Sequence, residues 1–200
     1  MHDKIKKNAV LNVIRNILNI VFPLITFPYV SRVLGVENIG KYNFASTYVS
    51  YFVLFAGLGV GSYVVREGAQ FRSNKQEFSA FFSEVFSINV ISTVLSYICL
   101  FITLVTIRAL DEYRNLILIF GLQIGFTTIG VESVFSLYED YDYITKRTIA
   151  FKLVSLVGMF AFVRNANDLN VYALITVVAT VGSNTLNLVY SKKYWSLKQC

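Results

Sequence analysis

The stretch "NVIRNILNIVFPLITFPYV", residues 12–30, is mostly apolar and about long enough to cross a bilayer. It also carries Arg15, three asparagines (Asn12, Asn16 and Asn19) and the chain's two prolines, Pro23 and Pro28. In lipid a helix must satisfy its own backbone, and a charge there is costly. Either this is not a membrane helix, or its polar groups have somewhere other than lipid to go.

Composition decides the first alternative. Of the 200 residues, 55% are hydrophobic, 16% aromatic and only 15% charged, with a mean hydropathy of +0.56. A soluble domain carries about 25% charged residues, so this chain has too few to cover a water-facing surface. The net charge of +6 fits an excess of Lys and Arg in cytoplasmic loops. No basic cluster with interleaved aromatics stands outside the apolar runs, so nucleic acid is not an expected partner. The composition predicts an integral membrane protein.

Six apolar runs are candidate spans, over about 10–30, 42–65, 81–107, 116–137, 148–163 and 171–190. Their length excludes short alternating strands, so the expected fold is all-α, a single polytopic membrane domain over residues 1–200. The linkers between them are short and polar. With the N-terminus inside, Lys4, Lys6, Lys7, Arg66, Arg72, Lys75, Lys146, Arg147, Lys192, Lys193 and Lys198 fall on the cytoplasmic side. Arg32, Lys41, Arg108, Arg114 and Arg164 fall on the other. That bias predicts both termini in the cytoplasm. The first helix is expected to be retained, since no small-residue cleavage site follows it.

Polar residues inside the runs are the functional candidates. Asn12, Asn16, Asn19 and Pro23 recur at four, three and four residues, one face of a helix, and Arg15 lies beside it. A charge facing lipid costs about 2.5–3.5 kcal/mol at the helix centre on the lower insertion scale. The stripe should therefore face other helices or water. Two readings stand: Arg15 snorkels to headgroups while the asparagines hold helices together, or the stripe lines a transport cavity. Pro23 and Pro28 each remove a backbone hydrogen bond, which makes them hinge candidates as well as common features of membrane helices. Glu84 and Glu132 are candidates for proton or sodium coupling; the alternative for Glu132 is an ion pair with a base such as Lys152 or Arg15. Gly57 and Gly61 read as a small-xxx-small packing pair, Asn184 and Asn187 as packing hydrogen bonds, and the acidic run at Glu139, Asp140 and Asp142 as a solvated loop. Cys99 reads as a buried thiol. One histidine, His2, and two cysteines offer no catalytic set and no metal spacing, so neither an enzyme, a cofactor nor a metal is expected.

The residues from Phe22 onward, "FPLITFPYVSRVLGVENIGKYNFA", together with Arg66 and Glu67 closing the second run, resemble bacterial polysaccharide flippases of the O-antigen transporter type, in the multidrug/oligosaccharidyl-lipid/polysaccharide exporter superfamily. The matching positions are Ser31, Arg32, Leu34, Gly35, Glu37, Gly40, Tyr42 and Phe44. The family pattern D/E-W-x-F-Q-G-x-E-x-Y-x-Y-I-x-x-R is similar to "ESVFSLYEDYDYITKR", where Glu132, Glu139, Tyr141, Tyr143, Ile144 and Arg147 match; Ser133, Ser136 and Leu137 replace the usual Trp, Gln and Gly.

The resemblance implies one lobe of a two-lobed transporter that carries undecaprenyl-diphosphate-linked oligosaccharide across the bacterial inner membrane for O-antigen, lipopolysaccharide or capsule synthesis. It implies a truncated or half-length form needing a second lobe or another assembly protein. It also makes Arg15 a candidate ligand for diphosphate in a basic cavity. A drug or metabolite antiporter of the same superfamily and a non-transporting scaffold in a polysaccharide assembly complex are the alternatives.

Overall fold

The computed structural model describes residues 2–195, with side chains from Val10 onward except that of Arg15. Helices account for the regular structure among these residues: α1 His2–Gly57, α2 Val60–Gly68, α3 Lys75–Thr106, α4 Arg114–Ile129, α5 Glu132–Leu137, α6 Tyr141–Phe162 and α7 Leu169–Ser191. Short 3-10 turns over Ala69–Phe71, Arg108–Tyr113 and Ala166–Asp168 join some of them. The chain is all-α, as its apolar run lengths predict.

Three runs are long and apolar enough to cross a membrane: Val10–Phe71, Lys75–Thr106 and Ala166–Ser191. The first has 62 residues, about 90 Å if straight and roughly three times the hydrocarbon thickness. It is not straight. Gly35 sits at φ 80°, ψ 162°, open to glycine and barred to most side chains, and it splits α1 into halves 2–34 and 36–57. Pro23 and Pro28, the expected hinges, lie exposed within continuous helix. The non-helical joint is the glycine.

Contact registers give the directions. In the first half of α1, the carbonyl of Leu11 accepts from Thr145 and that of Leu18 from Lys152, while the Tyr29 hydroxyl donates to the Val163 carbonyl, each pair 134 positions apart. A constant offset means that this half runs parallel to α6. In the second half, Asn38 donates to the Ala166 carbonyl just before α7, and Tyr42 donates to Thr176 within it, so this half runs parallel to α7. Gly158 faces Ile175 and Gly182 faces Phe151, which makes α6 and α7 antiparallel. The two halves of α1 therefore run oppositely, with Gly35 at the reversal.

Hydroxyls tie the next helices. Ser92 and Ser96 of α3 donate to the carbonyls of Ala56 (2.6 Å) and Phe52 (3.0 Å). Thr93 bonds Thr128 of α4 at 2.6 Å, and the Tyr97 hydroxyl donates to the Gly121 carbonyl at 3.0 Å while accepting from the Gly125 amide at 3.0 Å. Both pairings are antiparallel. Asn74 starts α3 by accepting from the amides of Gln76 and Glu77, a side-chain cap. Ala45, Val49, Phe120, Ile124 and Val177 form the central apolar cluster. Phe101, Leu54, Val154 and Val178 point outward and exposed, as a lipid-facing surface requires.

Several expectations change. The second run, 42–65, is not one helix, because Leu58 (φ 40°) and Gly59 (φ 73°) break it. A Cβ at Gly57 would touch nothing within 4 Å, and one at Gly61 would only graze Ser133 at 4.0 Å. The pair is a joint rather than a packing motif. The fourth run, 116–137, is interrupted: α4 ends at Ile129 and Val131 turns left-handed (φ 40°) before α5. Left-handed backbone at a β-branched residue costs about 1–3 kcal/mol. Cys99 is exposed, not buried. The acidic run is tied down: Asp140 caps α6 through the Tyr143 amide and accepts the Tyr194 hydroxyl at 2.7 Å, and Glu139 meets Arg72 at 3.3 Å.

Gly130 shows how close α4 and α7 come. A Cβ there would strike the Asn184 side chain, at 2.6 Å from its Cγ. Gly130→Ala should lower stability by about 1–3 kcal/mol. Gly40→Ala, in open helix with nothing within 4 Å, should be neutral or stabilising by up to about 1 kcal/mol. Thermal unfolding of both variants in detergent checks this; equal midpoints would contradict the close approach.

Candidate functional site

The site begins at the break after α4. Ending one helix at Gly130 and starting another at Glu132 places a carboxylate beside α6 and α7. There it faces Arg147, whose side chain is only 6% exposed. The Arg147 Nη2 lies 3.9 Å from the Glu132 Oε2. Its Nη1 donates to the Asn187 Oδ1. The guanidinium carbon stands 5.8 Å from the centre of the Tyr143 ring, which stacks on Tyr190 at 4.0 Å. A buried guanidinium is costly unless its charge is offset; an amide oxygen, a carboxylate and an aromatic face each contribute to that here.

Five residues along α6, about 7.5 Å of axial rise, Lys152 reaches α1. Its Nζ donates to the Leu18 carbonyl at 2.9 Å and the Asn19 Oδ1 at 2.8 Å, and lies 5.2 Å from the centre of the Phe22 ring. The local sequence favours this anchor. Pro23 has no N–H for the carbonyl of Asn19, and Lys152 brings a donor to that turn.

Arg147, Lys152 and Glu132 open into one cavity of about 360 Å³, with Phe22, Thr180 and Ser183 among its other walls. Two cations and several hydroxyls on one cavity have the chemistry to hold a negatively charged, hydrogen-bonding group. Glu132 also borders a smaller cavity of about 190 Å³ with Asn89 and Thr128, and a shallow recess with Arg66 and Ser136. Nearer the end of the bundle, the Tyr194 phenol is pushed above its ordinary pKa by burial first and then by its bond to Asp140.

The expected site residues fare unevenly. Asn19 meets the cavity wall through Lys152. Asn12 and Asn16 are exposed on α1 and do not line this cavity. The side chain of Arg15 lies outside the described residues. Glu84 is exposed on α3, away from the cavity that Glu132 and Arg147 share. Among the described side chains the base that meets Glu132 is Arg147; of the two bases considered above, Lys152 is held by α1 and Arg15 lies outside the described side chains. Asn187 holds that arginine, and Asn184 packs on Gly130.

Sequence reasoning placed Arg147 among the cytoplasmic charges and offered Lys152 as an ion-pair partner for Glu132. The available signal was the Tyr143-Ile144-x-x-Arg147 motif match, read together with an asparagine in the last helix.

A model of the family described as "Polysaccharide biosynthesis protein" matches residues 5–199. A curated relative from Escherichia coli (strain K12), named "Putative O-antigen transporter", is 22% identical over 186 residues, covering 92% of this chain and 44% of the relative. The chain thus spans less than half the length of that relative. No solved structure matches it significantly. The family match runs through the arginine, the lysine and the carboxylate of the cavity alike, and with it the chain belongs to the polysaccharide biosynthesis protein family.

Proposed function

We propose that these residues form one lobe of a flippase of the multidrug/oligosaccharidyl-lipid/polysaccharide exporter superfamily. The lobe acts with a second one to move a lipid-diphosphate-linked oligosaccharide across the bacterial inner membrane. The observation that carries this reading is the cavity holding Arg147 and Lys152. Charges inside an apolar bundle persist where they meet a ligand or line a path. A diphosphate offers several anionic oxygens to a guanidinium fork and an ammonium. The hydroxyl walls suit the sugar that follows it. The E. coli relative, named for O-antigen transport, supports the same substrate class.

The helix directions support a topology. The two halves of α1, then α3, α4 with α5, α6 and α7 alternate, which supports six crossings. The Gly35, Arg108–Tyr113 and Ala166–Asp168 turns then lie at the outer end, and the basic end carrying Arg72, Lys75, Lys192 and Lys193 lies in the cytoplasm with both termini. Cysteine labelling tests this in a chain with Cys99 and Cys200 replaced by serine. Asn165→Cys should react with an impermeant maleimide in intact cells, and Lys193→Cys only after permeabilisation. The reverse pattern would overturn the orientation.

For function, Arg147→Ala in the complete transporter should lower surface polysaccharide by about tenfold or more, the loss expected for a charge-assisted contact, with membrane protein level maintained. Arg147→Lys should retain an intermediate amount. Normal polysaccharide in Arg147→Ala would remove the cavity from the transport path. Drug efflux without any polysaccharide defect would favour an antiporter.

A further inference from the structure

Three of the partners of Arg147 lie among the described residues, and they are not equally fixed. Asn187 is fully buried, and Tyr143 is held by its stack on Tyr190. Glu132 differs. Its side chain is 40% exposed, and its oxygen stands 3.9 Å from the guanidinium, at the long end of an ion pair. It sits on α5, a helix of six residues bounded by two left-handed positions that are not glycine, Val131 (φ 40°) and Glu139 (φ 57°). Its carboxylate borders both internal cavities and the shallow recess beside Arg66. There is thus space on the side away from Arg147 into which it can turn.

We infer that Glu132 is an internal counter-anion: it occupies Arg147 in the empty cavity and is displaced by the anionic group of the ligand. This rests on the proposed function, since it takes the Arg147 cavity as the anion site. The consequence is selectivity. A ligand must out-compete a tethered carboxylate, so a polyanion with several oxygens succeeds where a monoanion such as chloride does not. The ion pair also keeps the buried guanidinium matched between ligands, which a permanently open cation could not achieve without cost. Displacement removes one tie at the start of α5, which stays packed through Val134, Phe135 and Leu137. Val131, Val134 and Leu137 belong to the same apolar cluster as Trp195, whose ring lies 4.6 Å from that of Phe82. The single tryptophan of the chain therefore stands where movement of α5 changes its surroundings.

The test uses the purified chain in nanodiscs, with inorganic pyrophosphate as probe and Trp195 emission as readout. Chloride at matched ionic strength is the monoanion control. If Glu132 occupies Arg147 in about nine molecules of ten, removing it should tighten pyrophosphate binding about tenfold. Glu132→Gln should show that gain and begin to respond to chloride. Glu132→Asp keeps the charge but is one methylene shorter, and should fall between Glu132→Gln and wild type; it decides the matter if Glu132→Gln does not fold. Arg147→Ala should abolish the response. Wild-type binding with no gain in either Glu132 variant would overturn the counter-anion role and leave the cavity reading intact. Absence of pyrophosphate binding in wild type and variants alike, or full binding by Arg147→Ala, would overturn the cavity reading and this inference together.

Discussion

Keeping the Arg147 guanidinium charged inside an apolar bundle is the constraint around which the site is arranged. Charge in a dry interior is stable only if its donors and its field are matched. The matching groups come from separate helices: Asn187 from α7, Glu132 from α5 and Tyr143 from α6 itself. Bringing them together needs α4 to stop short, and it stops at Ile129, just before Gly130, where an added Cβ would meet the Asn184 side chain of α7. The helix break, the glycine and the ion pair are one arrangement. An uninterrupted helix through 116–137 would not present Glu132 from a separate six-residue helix.

The second cation solves a different problem. Lys152 satisfies its charge partly on the backbone of α1, beside the turn that Pro23 deprives of a hydrogen bond. A proline thus contributes without breaking its helix, by leaving a carbonyl region in want of a donor.

The fold class was legible because apolar run length is a one-dimensional property. It needs no partner, and the runs over 81–107 and 171–190 fall on α3 and α7 with small shifts at their ends. The breaks were less legible. Gly35 stood inside a quoted motif, but its positive φ is a consequence of the reversal that packs Tyr29 on Val163 and Tyr42 on Thr176. Val131 gives no local hint of a left-handed turn, since β-branched residues avoid it; the turn directly follows the close approach of Gly130 to Asn184. The site was half legible. Periodicity grouped Asn12, Asn16 and Asn19 on one face, yet only Asn19 has the offset that meets Lys152. Arg147 was hidden because a base a few residues from a predicted helix start looks like a loop charge until the helix is seen to begin at Tyr141.

The first half of α1 is attached unusually lightly. From Val10 to Ile25 none of the described side chains is buried, and among the described residues of that stretch the polar ties to the bundle run to α6 through Thr145 and Lys152. In water such an arm would be held by the cost of wetting its apolar face. In a bilayer that cost vanishes, because lipid tails replace protein as readily as they leave it. The arm is then fastened by a few hydrogen bonds, with Gly35 as its far pivot. Of all the segments, it is the one that lipid, rather than the protein core, can most cheaply take over.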